Sequence, residues 1–144
     1  VAPGKGMFVS GPFGSNISSK FFVEEGVPVI RGNNLTSGTK KFIDEGFVFI
    51  TEEKAHQLRN CEAQPNDIII TAAGTLGQIG IIPQNVKFSK YIISNKQIRL
   101  RCNSKLVDPL FLYYRLIEKH PGYYIVCYEK KESNTFITFK IHSL

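Results

Sequence analysis

Short apolar runs, bounded by glycine, proline, asparagine or aspartate, dominate the first hundred residues and constrain the fold more than any other feature. Runs of this length, rich in β-branched and aromatic residues, are typical of strands. The tail at residues 135–141 alternates between apolar and polar residues and predicts one more strand. The earlier strands are predicted at residues 27–31, 46–50, 67–71, 78–82 and, as one longer run, 91–101.

Two segments carry helix signals. A first helix is predicted to begin after the cap residue Thr51 and to run to about residue 60, with two glutamates in its opening turn. A second is predicted to begin after the cap residue Asp108, with Pro109 as its first residue, and to run to residue 119. Phe111 and Tyr114 share one face of it and are predicted to be core. These elements predict an α+β fold, a curved, largely antiparallel sheet flanked by about two helices.

Length and composition favour one globular unit. We expect residues 1–144 to form a single domain, because 144 residues with 42% hydrophobic and 21% charged side chains suffice for one core. The apolar runs are too short to span a membrane, and no export signal is seen, so a cytoplasmic location is expected. The sequence begins at Val1 rather than at methionine, which suggests an excerpt of a longer protein.

The cysteines do not predict a metal site or a disulfide framework. Cys61, Cys102 and Cys127 are far apart, no Cys-x-x-Cys pair occurs, and the three histidines are scattered. Zinc sites require ligands clustered at short spacings. Idle thiols in a reducing compartment are the expected state.

The net charge of +6 lies in one segment of the chain. No acidic residue occurs between Asp67 and Asp108, whereas the rest of the chain has 12 basic and 12 acidic residues, which cancel. A one-sided basic field attracts polyanions, and nucleic acid is the commonest of these; a solvated basic surface remains the alternative. The six cations of residues 68–107 are Lys87, Lys90, Lys96, Arg99, Arg101 and Lys105.

Catalytic motifs are absent from the sequence. The glycines at residues 74–80 match neither a phosphate-binding loop nor a dinucleotide fingerprint, and no Asn/Asp-Pro-Pro-aromatic tetrapeptide of base methylases occurs. A magnesium nuclease needs an acid beside a Glu-x-Lys pair. Glu129 with Lys131, or Glu52 with Lys54, matches that pair, but neither is expected to converge with Asp67. We therefore expect no catalytic residue, no cofactor and no metal.

The alternation at residues 97–102 points to DNA recognition. Gln97, Arg99 and Arg101 fall on one side of the predicted strand and the apolar residues between them on the other. Arginine and glutamine can make bidentate contacts with guanine and adenine, so this face is predicted to be exposed and to read bases. The remaining predicted DNA contacts lie in polar loops, with the lysines at 87 and 90 suited to phosphates. They are Ser15, Asn16, Lys20, Arg31, Asn33, Asn34, Thr75, Lys87 and Lys90.

Five motifs in order carry a resemblance to a known family. They are residues 11–15 (GPFGS), 26–34 (GVPVIRGNN), 66–80 (NDIIIT leading to GTLGQIG), 91–99 (YIISN through Arg99) and 108–114 (DPLFLYY). In this order and spacing, over roughly residues 8 to 120, they resemble the target recognition domain of type I restriction–modification specificity subunits.

The resemblance implies a non-enzymatic domain that reads one half of a split site in double-stranded DNA. Its partners would be the methylation and restriction subunits of a prokaryotic complex, which hold the S-adenosylmethionine and ATP chemistry. The sequence stops at Leu144, before the family's spacer helix, so that docking is expected to use segments absent here, and Ala72 and Ala73 replace residues that are often bulkier. A fused restriction–methylation enzyme, a stand-alone magnesium nuclease and a basic protein-interaction module stay open as alternatives.

Overall fold

Short strands joined by turns and loops form the framework of the described structure. The structure, a computed structural model, describes residues 6–35, 40–75, 77–118, 125–126 and 140–141. Its two α-helices are α1, Glu52–Gln57, and α2, Pro109–Ile117, and its sheets are mostly antiparallel, which confirms the predicted α+β class. In these described parts, no helix has the length and hydrophobicity needed to cross a membrane.

The described strands form two larger sheets and one two-stranded pair, where a single sheet was predicted. The first has five strands, which are antiparallel except for one parallel pair, Val27–Ile30 with Tyr91–Ile93. In spatial order these strands are β2 (Phe22–Val23), β4 (Val48–Ile50), β3 (Val27–Ile30), β8 (Tyr91–Ile93) and β5 (Glu62–Ala63).

The second sheet has four strands and is antiparallel throughout. A separate antiparallel pair joins β10 (Ile125–Val126) to β11 (Lys140–Ile141), and residues 135–139 of the predicted tail strand lie outside the described residues. In spatial order the four strands are β1 (Phe8–Ser10), β9 (Gln97–Leu100), β6 (Ile68–Thr71) and β7 (Ile79–Ile81).

The four-stranded sheet is covered on both faces. Ile68 and Ile70 of β6 pack with Tyr113 of α2, whereas Ile69 points the other way into the main core, which contains residues of the five-stranded sheet. Because alternate residues of a strand point to opposite faces, both faces of β6 are buried, and its first three positions are a continuous run of isoleucine. The strand predicted at residues 67–71 from its apolar run is therefore confirmed.

The predicted long strand at residues 91–101 is divided in two. Residues 95 and 96 form a turn between β8, in one sheet, and β9, in the other. The backbone N–H of Gln97 donates to the carbonyl of Ser94 at 3.1 Å, and Gly11 packs against the same turn. A Cβ on Gly11 would lie 1.8 Å from the Ser94 carbonyl oxygen, so that only glycine allows this approach.

The helix starts are confirmed, but the predicted core face of α2 is wrong. The Thr51 hydroxyl accepts from the N–H of Lys54, and the Asp108 carboxylate accepts from the N–H of Phe111. However, Phe111 is 60% and Tyr114 44% exposed, whereas their neighbour Tyr113 is buried against β7. The helix touches the sheet along one narrow line, which leaves the aromatic side predicted to be core facing solvent. The helix α1 also ends early, at Gln57, where a 3-10 turn follows.

Candidate nucleic-acid interface

A polar cleft opens where strands of the two sheets end. Parallel strands β3 and β8 finish side by side there, and the β6–β7 turn faces them. The cleft has a volume of about 350 Å³, and its apolar wall includes Phe22 and Val29. No carboxylate is among its lining residues. The polar lining consists of Arg31, Asn33, Thr71, Thr75, Gln78, Ser94, Asn95, Lys96 and Gln97.

The floor of the cleft is a chain of hydrogen bonds between uncharged side chains. The Ser94 hydroxyl donates to Oε1 of Gln97, whose Nε2 donates to Oγ1 of Thr71 at 3.5 Å. Oγ1 of Thr71 in turn donates to Oε1 of Gln78 at 3.3 Å. Because Gln97 and Thr71 each accept one bond and donate the next, the four side chains hold one another in defined orientations.

Backbone contacts tie the two turns of the cleft together. The carbonyl of Lys96 accepts from the N–H groups of Ala72 at 2.8 Å and Ala73 at 3.3 Å. The stem of Lys96 also runs along the opposite turn, where a Cβ on Gly74 would lie 3.9 Å from its Cδ. These contacts hold an exposed lysine at the mouth of the cleft.

Several predicted DNA contacts lie in or beside this cleft. Asn33 and Thr75 are exposed on its rim, and Arg31 is half-buried in its wall. Ser15 and Asn16 are exposed in the 3-10 turn that precedes Ile17, which also lines the cleft. These five residues come from three separate loops of the sequence.

Arg99 and Gln97 were predicted to be exposed, and that prediction is wrong. Gln97 is 2% and Arg99 4% exposed, because the main core covers the face of β9 that was expected to meet solvent. The Arg99 guanidinium donates to the carbonyls of Glu62 and Gly6, and burial lowers its pKa. Its position is therefore inside the protein, whereas Gln97 still reaches the cleft floor.

Arg101 is held by a carboxylate rather than presented to solvent. Its Nε and one terminal nitrogen each lie 2.7 Å from an oxygen of the buried Asp67 side chain. This hydrogen-bonded pair raises the pKa of Arg101. A bidentate contact of this kind occupies the same donors that would read a base.

Asn34 and Lys20 also have contacts within the protein. The Asn34 amide is fully buried and donates to the carbonyls of Ile43 at 3.1 Å and Glu45 at 2.9 Å, which closes the loop after β3. Its carbonyl oxygen accepts from the N–H of Arg31. The Lys20 ammonium lies 4.8 Å from the centre of the Phe21 ring. Asn34 thus shapes the cleft wall without being exposed in it.

Lys87 and Lys90 lie at the opposite end of β8 from the cleft. Lys90 pairs with Glu52 at 2.8 Å, which raises the pKa of the lysine, and the N–H of Lys87 donates to Asp44. Ser94 is four positions after Lys90 in the sequence, about 13 Å along an extended strand. The structure therefore does not bring these two lysines to the cleft.

Those acids considered for a nuclease that the structure describes do not form a cluster. Asp67 is buried in its pair with Arg101 and also accepts from the N–H of Gln64 at 2.9 Å. Within the described ranges, no group of three or more His, Cys, Asp or Glu side chains could hold a metal ion. Glu129 and Lys131 lie outside the described residues.

Several lining residues were not among the predicted contacts. Lys96 lies in the acid-free segment, which could have identified it, but the turn that presents it was taken for the middle of a strand. Thr71 and Gln78 carried no signal in the sequence, because their position depends on the pairing of β6 with β7 and β9.

Solved structures share this fold, in which two sheets pack together and α2 covers the second sheet. No protein-family model matches the chain, and no curated protein matches it. One similar structure is the HsdS subunit from Thermoanaerobacter tengcongensis, with a TM-score of 0.51 and 16% identity over 76% of this chain. Another is a chain from work on complex assembly and conformational transition of the type I R-M system, with a TM-score of 0.56 and 14% identity over 79%. The chain spans about a quarter of their length, 24% and 25%.

Proposed function

We propose that this chain binds duplex DNA sequence-specifically, as a target recognition domain that reads one half of a bipartite site. The observation that carries the proposal is the cleft, which combines amides, hydroxyls and two cations with no carboxylate. Such a surface suits a polyanion that also presents hydrogen-bonding groups. The fold that the chain shares with the HsdS subunit supports the same reading.

The contacts proposed for DNA are the exposed groups around the cleft. Asn33, Thr75 and Lys96 extend from its rim, and Ser15 and Asn16 from the neighbouring turn. In this proposal residues 1–144 act as one domain without catalysis or cofactor of their own. The partners are double-stranded DNA and, within a type I complex, the methylation and restriction subunits.

Selection from a pool of random duplexes tests the proposal. The chain should enrich one short sequence, and its affinity for that duplex should exceed its affinity for a scrambled one. Asn33→Ala should weaken binding to the selected duplex about fivefold, the loss of one hydrogen bond worth about 1 kcal/mol. Asn85→Ala is the matched control, because Asn85 is also an exposed asparagine but lies in the loop before β8, away from the cleft. Absence of any enriched sequence would contradict the proposal.

The non-catalytic part of the proposal has its own assay. The chain should neither methylate nor cut DNA when S-adenosylmethionine, ATP and magnesium are supplied. Cleavage that disappears in Asp67→Ala, with folding of the variant verified by circular dichroism, would favour the nuclease alternative instead.

A further inference from the structure

Arg31 is a cation whose Nε has no hydrogen-bond acceptor among the residues that the structure describes. It lies half-buried in the cleft wall, and its Nε is excluded from solvent without a hydrogen-bond partner among the described residues. A buried charged donor without an acceptor is costly, so an acceptor that entered the cleft would recover that free energy. The cleft lining itself supplies no carboxylate for this purpose.

Gln78 presents a second unused donor to the same cleft. Its Oε1 accepts from Oγ1 of Thr71, and Thr71 is fixed in turn by Gln97 and Ser94. Because the carbonyl end of Gln78 is engaged, its Nε2 is the free end, and it has no hydrogen-bond partner in the described part of the chain. The chain of hydrogen bonds therefore determines that Gln78 offers N–H groups rather than a carbonyl.

Arg31 and Gln78 are neighbours in this wall. Gly32, the residue after Arg31, packs so closely on Gln78 that a Cβ on Gly32 would lie 2.8 Å from Oε1 and 4.0 Å from Nε2. The glycine thus allows the amide to lie directly beside the backbone of Gly32, the residue that follows Arg31. The result is a group of donors, with the Lys96 ammonium at the mouth of the same cleft.

We propose that Arg31 and Gln78 together bind one acceptor-bearing group of DNA, and that Thr71 positions Gln78 for this contact. The inference rests on the proposed function and adds the site and its chemistry. Two groups of DNA have suitable acceptors: the O6 and N7 edge of guanine, and the oxygens of a phosphate. A group that presents only donors would leave both side chains unsatisfied.

Chemically altered duplexes test the contact and distinguish its two sources. In the selected duplex, guanines are replaced one at a time by 7-deazaguanine, and phosphates one at a time by methylphosphonate. Arg31→Ala and Gln78→Ala should each weaken binding to the unaltered duplex, Arg31→Ala by about 5- to 150-fold. On one altered duplex, both substitutions should have a clearly smaller effect than on the unaltered duplex, since one of the contacted acceptor atoms has been removed. An altered guanine assigns the contact to a base, and an altered phosphate assigns it to the backbone.

The inference would be overturned if Arg31→Ala and Gln78→Ala weakened binding to every altered duplex as much as they weaken binding to the unaltered one. If the wild-type chain selects no sequence at all, the proposed function itself fails, and the two failures are thereby distinguishable. If it selects a sequence but neither variant weakens binding, only the site is wrong.

Thr71 is tested as a positioning residue through the same readout. Thr71→Val keeps the shape but removes the hydroxyl, so that the amide of Gln78 is free to rotate. The selectivity for the unaltered duplex should fall to the level of Gln78→Ala, and Thr71→Ser should restore it. Urea unfolding of both variants separates this effect from a loss of stability. Full selectivity in a folded Thr71→Val would rule out the positioning role.

Discussion

The guanidinium of Arg99 is a cation held inside the protein by backbone carbonyls. It donates to the carbonyls of Glu62, in β5, and Gly6, just before β1, and its Nε has no partner among the described residues. These bonds connect β9 to β5 of the five-stranded sheet and to the segment that leads into β1. Arg99 therefore belongs to the framework that supports the cleft.

Arg99→Ala should lower the free energy of unfolding by about 2–4 kcal/mol, because it leaves a cavity and two carbonyls without donors. Arg99→Met should cost less, since methionine fills most of the volume. Urea unfolding measures both. The ratio of affinities for selected and scrambled duplexes should stay unchanged in folded Arg99→Met. A smaller ratio of these two affinities in Arg99→Met would indicate that Arg99 reads a base, as its sequence pattern suggested.

Gly32 offers a substitution that disturbs recognition without disturbing the fold. Its φ is not in the left-handed region, and an added Cβ meets only the flexible end of Gln78. Gly32→Ala should thus change the free energy of unfolding by less than about 1 kcal/mol while it displaces the amide. Affinity for the selected duplex should fall about fivefold, the loss of about 1 kcal/mol. The double variant with Gln78→Ala should bind no worse than Gln78→Ala alone, and an additive loss would contradict this reasoning.

At the level of elements, β6 and β9 are joined by more than their backbone ladder. The Arg101–Asp67 pair spans the end of this ladder, with the carboxylate buried and both oxygens bonded to the guanidinium. Removal of one partner leaves a buried charge without compensation. The pair therefore contributes to the rigidity of the sheet whose opposite end forms the cleft floor.

Arg101→Ala should lower the free energy of unfolding by about 3 kcal/mol, the lower end of values for broken buried pairs, because the arginine is partly exposed. Arg115→Ala provides the comparison. Arg115 pairs with Glu118 on the surface of α2, and loss of such a pair costs less than about 1 kcal/mol. Equal effects in urea unfolding would mean that Asp67 finds another partner when Arg101 is gone.

The local sequence pattern was sufficient to predict where the helices and several strands form, but not how the strands are arranged into sheets. The caps Thr51 and Asp108 start helices as predicted, since a cap depends on atoms within three residues. The turn after Ser94 was missed because apolar residues continue across it, and only the second sheet makes the chain change direction there. The same second sheet buries Arg99, an effect that alternation in one strand cannot reveal.

The same distinction applies to several residues of the candidate site, since some in loops were predicted from the sequence and some placed by strand pairing were not. Arg31, Asn33 and Thr75 were predicted correctly to lie in polar loops, although their contact with DNA stays a prediction. Gln78 and Thr71 were not predicted, because they reach the cleft only through strand pairing that spans distant parts of the sequence.

Over the whole molecule, the basic segment is less uniform than its charge suggests. Of its six cations, Arg99 is buried, and Arg101 and Lys90 are paired with carboxylates. Lys87, Lys96 and Lys105 are exposed and form no ion pair within the described residues. A slope near −3.6 for log K against log salt, which four phosphate contacts from this segment would give, is therefore more than it can supply.

Lys96 and Lys87 provide a matched pair for locating the DNA backbone. Both are exposed lysines of the acid-free segment, but Lys96 stands at the mouth of the cleft and Lys87 precedes the far end of β8. Each phosphate neutralised by a lysine adds about −0.9 to the salt slope. Lys96→Ala should thus flatten the slope by about 0.9 and weaken binding to selected and scrambled duplexes alike, whereas Lys87→Ala should change neither. Titrations of each variant over a tenfold range of salt measure the slopes. The reverse result, a flatter slope for Lys87→Ala alone, would indicate that the DNA backbone contacts the opposite end of the five-stranded sheet. The charge of Lys96 would then no longer be evidence that DNA binds in the cleft.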